Sequence, residues 1–335
     1  MATYKGIKGF TIQSLASDPS ATANTEGQIW YNTVGKVLKG VAKVAGVGSW
    51  ASANALNTAR RNLSGIGSQA AALVVGGQSP PAVGATETYD GSSWSEEGDL
   101  TTPRTLAGPN MIGTQAAGQI QGGQPFSKIC EQWNGTSWCE EADLLANRNN
   151  SIGAGTTTAG LCYGGAVSQP TNTVAVESWD GTSWTETNNI NTMRRYVAGG
   201  GTQTAAMLYA GTPYPAPTGA TEQWNGSSWS EVADLNEGRT YGAGVAGTSA
   251  STSCLMVGGF ENVPVDSTIT TKVEQWNGTS WSEQADIATG RGQMGGSSTA
   301  STTAGLVAGG TPLTGVCEEW TVAAGTYGVK TFTSS

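Results

Sequence analysis

Residues 131–138 read EQWNGTSW, and residues 274–281 repeat them letter for letter. Close copies stand at 87–94 (ETYDGSSW), 177–184 (ESWDGTSW) and 222–229 (EQWNGSSW). Every copy has a Glu two residues before an aromatic, then Asn-Gly or Asp-Gly, then Ser-Trp. The closing residues Trp94, Trp138, Trp184, Trp229 and Trp281 are spaced by 44, 46, 45 and 52 residues. Asn-Gly and Asp-Gly are the strongest short hairpin signals, because both central positions accept a positive φ. Each octapeptide therefore reads as a tight turn joining two strands, c and d.

Two further landmarks flank each copy. Ten residues past the closing Trp stands an Arg: Arg104, Arg148, Arg194, Arg239 and Arg291. Upstream lies an apolar strand ending in two small residues: LVVGG (73–77), QIQGG (119–123), LCYGG (161–165), MLYAG (207–211), LMVGG (255–259) and LVAGG (306–310). The unit is then four strands. Strand a follows the Arg, strand b ends in the small pair, strand c carries Glu and its aromatic, and strand d opens on Ser-Trp. Four-stranded units recurring every 45 residues or so read as a β-propeller.

The sixth copy, Glu318 with Trp320, has no Ser-Trp strand after it. That strand is found at the other end. Ser49-Trp50 is followed by Leu56 and Arg60 at the offsets that separate Trp94 from Leu100 and Arg104. Residues 48–56 should therefore supply strand d of the last unit. The expectation is an all-β chain: a six-bladed kelch-like β-propeller at 48–335, closed by its N-terminal strand, behind a small β-hairpin arm at 1–47.

The small-pair strand end, the strand-c aromatic and the strand-d Trp resemble the kelch and galactose-oxidase-like repeat family, over about residues 46–322. The resemblance implies the scaffold and not an activity, since propellers host many functions. The copper oxidase chemistry of galactose oxidase needs histidine, and this chain has none.

Composition excludes several classes. Without His there is no Ser-His-Asp triad, Cys-His nucleophile or His-ligated metal. The net charge is −9, which argues against nucleic acid and against anionic membrane surfaces. Five Cys at irregular spacings contain no CxxC pair, so no zinc ribbon is indicated; Cys130 and Cys139, on the two arms of one hairpin, could face each other. No segment reads as a secretory signal or a membrane span. Glu140 and Glu141 are adjacent on a strand and point to opposite faces, so they form no acid/base pair. The repeated Trp residues are expected to fill the space between blades, and the repeated Glu and Arg to satisfy each other. No catalytic residue, metal ligand or cofactor is assigned, and the chain is read as a non-enzyme.

Functional freedom falls on the b–c loops, which differ in length and carry Pro, aromatics and charges. Phe126, Tyr214, Phe260, Asn262 and Asp266 are the candidate ligand contacts there.

In the arm, SLASDPSATANTEG (14–27) reads as extended and linker-like. QIWYN and KVLKGV (28–41) read as a hairpin that needs a partner. D-P-S (18–20), E-G-Q-I-W-Y-N (26–32) and G-K-x-x-K-G (35–40) resemble the N-terminal portions of fibre-type structural proteins of tailed bacteriophages. That resemblance implies a virion protein, made in the host cytoplasm and released by lysis. Its arm would attach to other virion proteins, with Trp30 and Tyr31 as candidate contacts. The propeller would meet a host-surface glycan or protein as a tail fibre or receptor-binding component. The alternatives are a head fibre or capsid-decorating protein and, further off, a polysaccharide-active enzyme. By analogy with fibres, a homo-oligomer would be a trimer.

Overall fold

The computed structural model describes residues 12–44, 46–105, 111–248, 250–261, 268–297 and 302–332. The chain divides into two units, Gly48–Thr321 and Met1–Val47 with Val322–Ser335.

The larger unit contains six four-stranded sheets among the described residues. Sheet 1 is Ser64–Ser68, Ala71–Val75, Thr86–Tyr89 and Trp94–Glu96. Sheet 2 is Met111–Gly113, Gly118–Gln121, Cys130–Trp133 and Trp138–Glu141. Sheet 3 is Ile152–Thr156, Ala159–Tyr163, Val176–Trp179 and Trp184–Thr187. Sheet 4 is Ala198–Thr202, Ala205–Tyr209, Thr221–Trp224 and Trp229–Val232. Sheet 5 is Ala243–Ala246, Cys254–Val257, Val273–Trp276 and Trp281–Glu283. Sheet 6 runs Gly295–Gly296, Ala304–Ala308, Cys317–Val322 and then Gly48–Ala53.

Strand a of each sheet neighbours strand a of the next, and that of sheet 6 neighbours that of sheet 1. Glycine permits this approach: a Cβ on Gly65 would lie 2.9 Å from the Gly296 carbonyl oxygen. The sheets are also stitched by one recurring backbone bond. The N–H of the second small residue donates to the Arg carbonyl of the following repeat, as from Gly77 to Arg104 (3.0 Å) and Gly165 to Arg194 (2.8 Å). Gly310 of sheet 6 donates to Arg60 in the same way, at 2.8 Å.

The tryptophans fill the seams. One apolar cluster joins Leu306, Ala308 and Cys317 of sheet 6 to Val74, Tyr89 and Trp94 of sheet 1. Another joins Tyr163 and Val176 of sheet 3 to Leu208, Trp224 and Trp229 of sheet 4. Strand-d indoles also reach across: Trp138 Nε1 donates to Thr86 Oγ1, at 2.9 Å. Strand-c indoles donate to their own a–b turn, as Trp179 does to Thr157 O at 2.9 Å.

Every sheet buries one ion pair. The pairs are Arg60–Glu87 (2.9 Å), Arg104–Glu131, Arg148–Glu177 (2.5 Å), Arg194–Glu222 (2.8 Å), Arg239–Glu274 (2.8 Å) and Arg291–Glu318 (2.7 Å). Each Arg also donates to the carbonyl two residues before its Glu, as Arg148 Nη1 does to Ala175 O (2.8 Å). Each Glu accepts from the backbone that enters from the preceding sheet: Leu145 N donates to Glu177 at 2.7 Å and Asn191 N to Glu222 at 2.7 Å.

The c–d turns are uniform. The Asp90 carboxylate accepts from the backbone N–H groups of Ser93 (2.7 Å) and Ser92 (2.8 Å), with Gly91 at φ 93°. Asn134, Asn225 and Asn277 make the same pair of bonds in other repeats. Those backbone donors and the two serine hydroxyls hold the Asp90 carboxyl down at about 2.

In the smaller unit the sheet order is Gln13–Leu15, Ile29–Asn32, Val37–Val44 and Thr326–Phe332. The hairpin finds its partner in the C-terminal strand, which pairs antiparallel from Leu38↔Phe332 to Val44↔Thr326. The boundary expected from sequence therefore ran too far: Val322–Ser335 groups with the arm and not with 48–321. Residues 14–27 are more than a linker, because Gln13–Leu15 pairs in parallel with Trp30–Asn32. Asp18 fastens this segment, accepting from Asn32 Nδ2 (2.8 Å), Trp30 Nε1 (3.2 Å) and Lys39 Nζ (2.7 Å). All five cysteines are free. Strand register sets Cys130 opposite Glu141 and Cys139 opposite Gln132, so the two thiols do not face each other.

Three stability measurements follow from this architecture. Glu177→Ala leaves the Arg148 guanidinium buried without its partner and should cost about 3–5 kcal/mol, lowering Tm by roughly 10 °C; a fall of a degree or two would show the pair to be dispensable. Ala210 occupies φ 61° where five repeats use Gly. Ala210→Gly should therefore stabilise by about 0.5–1 kcal/mol in a denaturant melt, and a loss of stability would contradict the strain. The depressed Asp90 carboxyl favours the fold above about pH 4, and that contribution is lost as pH falls toward 2. Asp90→Asn should leave Tm at pH 7 unchanged and give a smaller fall in Tm between pH 4 and pH 2. A lower Tm at neutral pH would mean that the charge matters beyond the turn.

Candidate binding rim

Two short segments of every repeat meet at one rim of the larger unit. The residue after the paired Arg forms an isolated antiparallel bridge with the residue after the small pair. The bridges are Arg61 with Gln78, Thr105 with Gln124, Asn149 with Ala166, Arg195 with Thr212, Thr240 with Phe260 and Gly292 with Thr311.

The chain then enters strand a through a left-handed residue. Asn62, Asn150, Tyr196, Tyr241 and Gln293 take φ of 53–58°. This conformation costs an L-residue about 1–2 kcal/mol. A chain of backbone bonds offsets it: Tyr196 N to Asn150 O (3.3 Å), Tyr241 N to Tyr196 O (3.1 Å), Gln293 N to Tyr241 O (2.7 Å) and Asn62 N to Gln293 O (2.9 Å). Four bonds thus link sheets 3, 4, 5, 6 and 1 in turn. The equivalent residue of sheet 2, Leu106, lies outside the described residues.

The side chains carried by this rim differ from repeat to repeat. Tyr196 and Tyr241 stack, with centroids 3.8 Å apart and planes 22° from parallel. Phe260 meets Tyr241 edge-on at 5.6 Å. The Arg195 guanidinium lies over the Tyr196 ring, 4.9 Å from its centroid. Burial pushes the Tyr241 hydroxyl well above the ordinary tyrosine range. Tyr196, Tyr241, Asn62 and Gln293 are half-buried. The rim therefore gathers half-buried aromatic rings, a guanidinium and amide donors and acceptors, a set of groups that can hold polar ligands.

The residues singled out from sequence fare unevenly. Tyr214 is 65% exposed, at φ 69°, in the b–c loop of sheet 4. Phe126 is half-buried in the loop of sheet 2. Phe260 is buried against Tyr241 and is a support for the rim, not a surface contact. Asn262 and Asp266 lie outside the described residues. In the arm, Trp30 is buried on Asp18, so it holds the unit together and cannot present a surface. Its neighbour Tyr31 is 37% exposed.

Sequence reading missed the two positions after each paired Arg. The available signal was their variability, Arg/Thr/Asn/Arg/Thr/Gly and Asn/Leu/Asn/Tyr/Tyr/Gln, directly beside an unvarying residue. Among the described residues no three Cys, Asp or Glu side chains gather as they would round a metal ion. The six strand-c glutamates are all held by arginine and backbone.

No protein-family model matches the sequence, and no curated protein does. Solved structures do match. One is YjhT, with a TM-score of 0.64 at 12% identity, covering 83% of this chain and 99% of that one. At that identity the likeness speaks for the fold alone. Together with the succession of four-stranded sheets, it makes this chain an all-β protein built on a β-propeller.

Proposed function

We propose that Gly48–Thr321 is a six-bladed kelch-like propeller, closed by the strand Gly48–Ala53, that recognises a host-surface glycan through the rim around Tyr196 and Tyr241. The chain as a whole is read as a bacteriophage virion protein of the tail-fibre or receptor-binding type. The observation that carries the recognition reading is the division of labour within the repeat. The unvarying buried Glu and Arg of each repeat are consumed in holding the scaffold, and varied side chains collect at one rim with stacked aromatics among them. That is the pattern of a binding module, not of an active site with a spare acid and base.

The smaller unit supports a separate attachment role. Ile29, Tyr31 and Phe332 are 43%, 37% and 46% exposed on its sheet. Among the described residues Gln13–Leu15 is the end strand of that sheet, beside a groove of about 250 Å³ bordered by Leu15, Pro19, Ile29 and Trp30. An end strand next to an apolar face suits docking on another protein. The phage assignment itself comes from the motif resemblance in this arm.

A glycan array and bacterial-cell binding assay with the full chain tests the reading. Saturable binding should appear, and Tyr214→Ala in the exposed loop should weaken it several-fold without lowering Tm. A folded chain that binds no glycan and no cell would overturn glycan recognition.

A further inference from the structure

Of the eight arginines, six are locked in the repeated ion pairs. The two that remain, Arg61 and Arg195, occupy the same repeat position, directly after the paired Arg. They stand in sheets 1 and 4, three steps apart in either direction round the cycle of neighbouring first strands. Among the described residues neither has a carboxylate partner. Each instead donates to a neutral amide: Arg61 Nε to Gln78 Oε1 (3.2 Å) and Arg195 Nη1 to Gln169 Oε1 (2.9 Å).

Arg195 is only 8% exposed. A buried guanidinium without a counter-charge is costly, and this chain carries nine more acidic than basic groups from which to supply one. The neighbouring repeat adds a second anomaly. Asn149 is fully buried, yet neither its Nδ2 nor its Oδ1 has a hydrogen-bond partner among the described residues. Asn150 follows it, and its carbonyl accepts from Tyr196 N, the residue after Arg195. Uncompensated charge and unpaired polar atoms thus fall on consecutive positions of adjoining sheets, beside a stacked aromatic pair. Such groups detract from folding and are retained where a ligand completes them.

We propose that the rim takes an anionic saccharide whose carboxylate or sulfate oxygens bind the Arg195 guanidinium, beside the stacked Tyr196–Tyr241 pair. Arg61, at the same repeat position on the opposite side of the cycle, offers a second cationic contact. This inference rests on the glycan reading above and narrows it to acidic glycans.

The test is titration calorimetry on the full chain with three oligosaccharides of matched length: a polygalacturonate, a sulfated galactan and a neutral galactan. The acidic probes should bind at least about tenfold more tightly than the neutral one, with affinity falling as salt rises. The better of the two acidic probes identifies the anionic group. Arg195→Gln should lose about 10–100-fold in affinity for it. The same variant should melt at or above the wild-type Tm, because it removes an unpaired buried charge. A lower Tm would make Arg195 a structural residue and overturn the proposal. Equal binding of the neutral probe, unaffected by Arg195→Gln, would leave glycan recognition standing and overturn the anion preference. Failure of all three probes, with no bacterial cell bound either, would overturn both.

Discussion

The scaffold depends on one buried ion pair, made six times. A lone Arg–Glu pair away from water is weak evidence for stability, because desolvation offsets most of the attraction. Here the pair does more than neutralise itself. The guanidinium spans from the carboxylate to the carbonyl at the start of strand c, and the carboxylate caps the backbone arriving from the preceding sheet. One pair therefore fixes the entry of strand a, the start of strand c and the link between sheets. An apolar pair of equal volume could fill the space but could not set those three relations. Five sheets carry a further Glu on strand d directly opposite the buried one, as Glu186 is opposite Glu177. Like charges so placed repel. The arrangement is tolerable because the strand-d carboxylates are exposed and lie within the field of the same guanidinium, as Glu140 does for Arg104.

Crowding between the first strands explains the composition. Neighbouring strands a approach so closely that a side chain at Gly65 would strike the Gly296 carbonyl, and the small pair ending strand b turns through positive φ. The chain meets both demands with glycine and moves its bulk outward, where indoles fill the wedge that opens between sheets. Abundant glycine and tryptophan with little charge are one geometric fact seen from the inner and outer ends of a radial sheet.

This is also why so much could be read from sequence. Whatever serves the scaffold recurs six times, so Glu, Arg, Trp and the small pair identify themselves by comparison within the chain. Even the displaced strand at Trp50 could be matched to its sheet, and its ring lies 5.4 Å from that of Trp320. What occurs once could not be found that way. The pairing of Thr326–Phe332 with the arm left no repeat signature, so the boundary at 322 was missed. Trp30 and Phe260 look like contacts in sequence because they are aromatic, and burial against Asp18 and Tyr241 makes them supports. The rim was overlooked because it is defined by departures from a pattern, whose meaning comes only when the fold brings residues distant in sequence side by side.

The distribution of charge sharpens what that rim can do. Among the described residues, five carboxylates outside the ion pairs are carried on the outer strands, Glu96, Glu140, Glu186, Glu231 and Glu283, all exposed on strand d. The cations left over lie inward, where the first strands begin. A long polyanion lying across the unit would meet repulsion from the periphery before reaching the centre, whereas a short acidic branch or chain end could enter at the rim. On the proposed reading, these outer carboxylates, in a chain of net charge −9, select against broad electrostatic adhesion and for local, end-on recognition. On that same reading, two arginines beside a stacked tyrosine pair would supply the attraction, and the exposed strand-d carboxylates outside the rim would supply the selectivity.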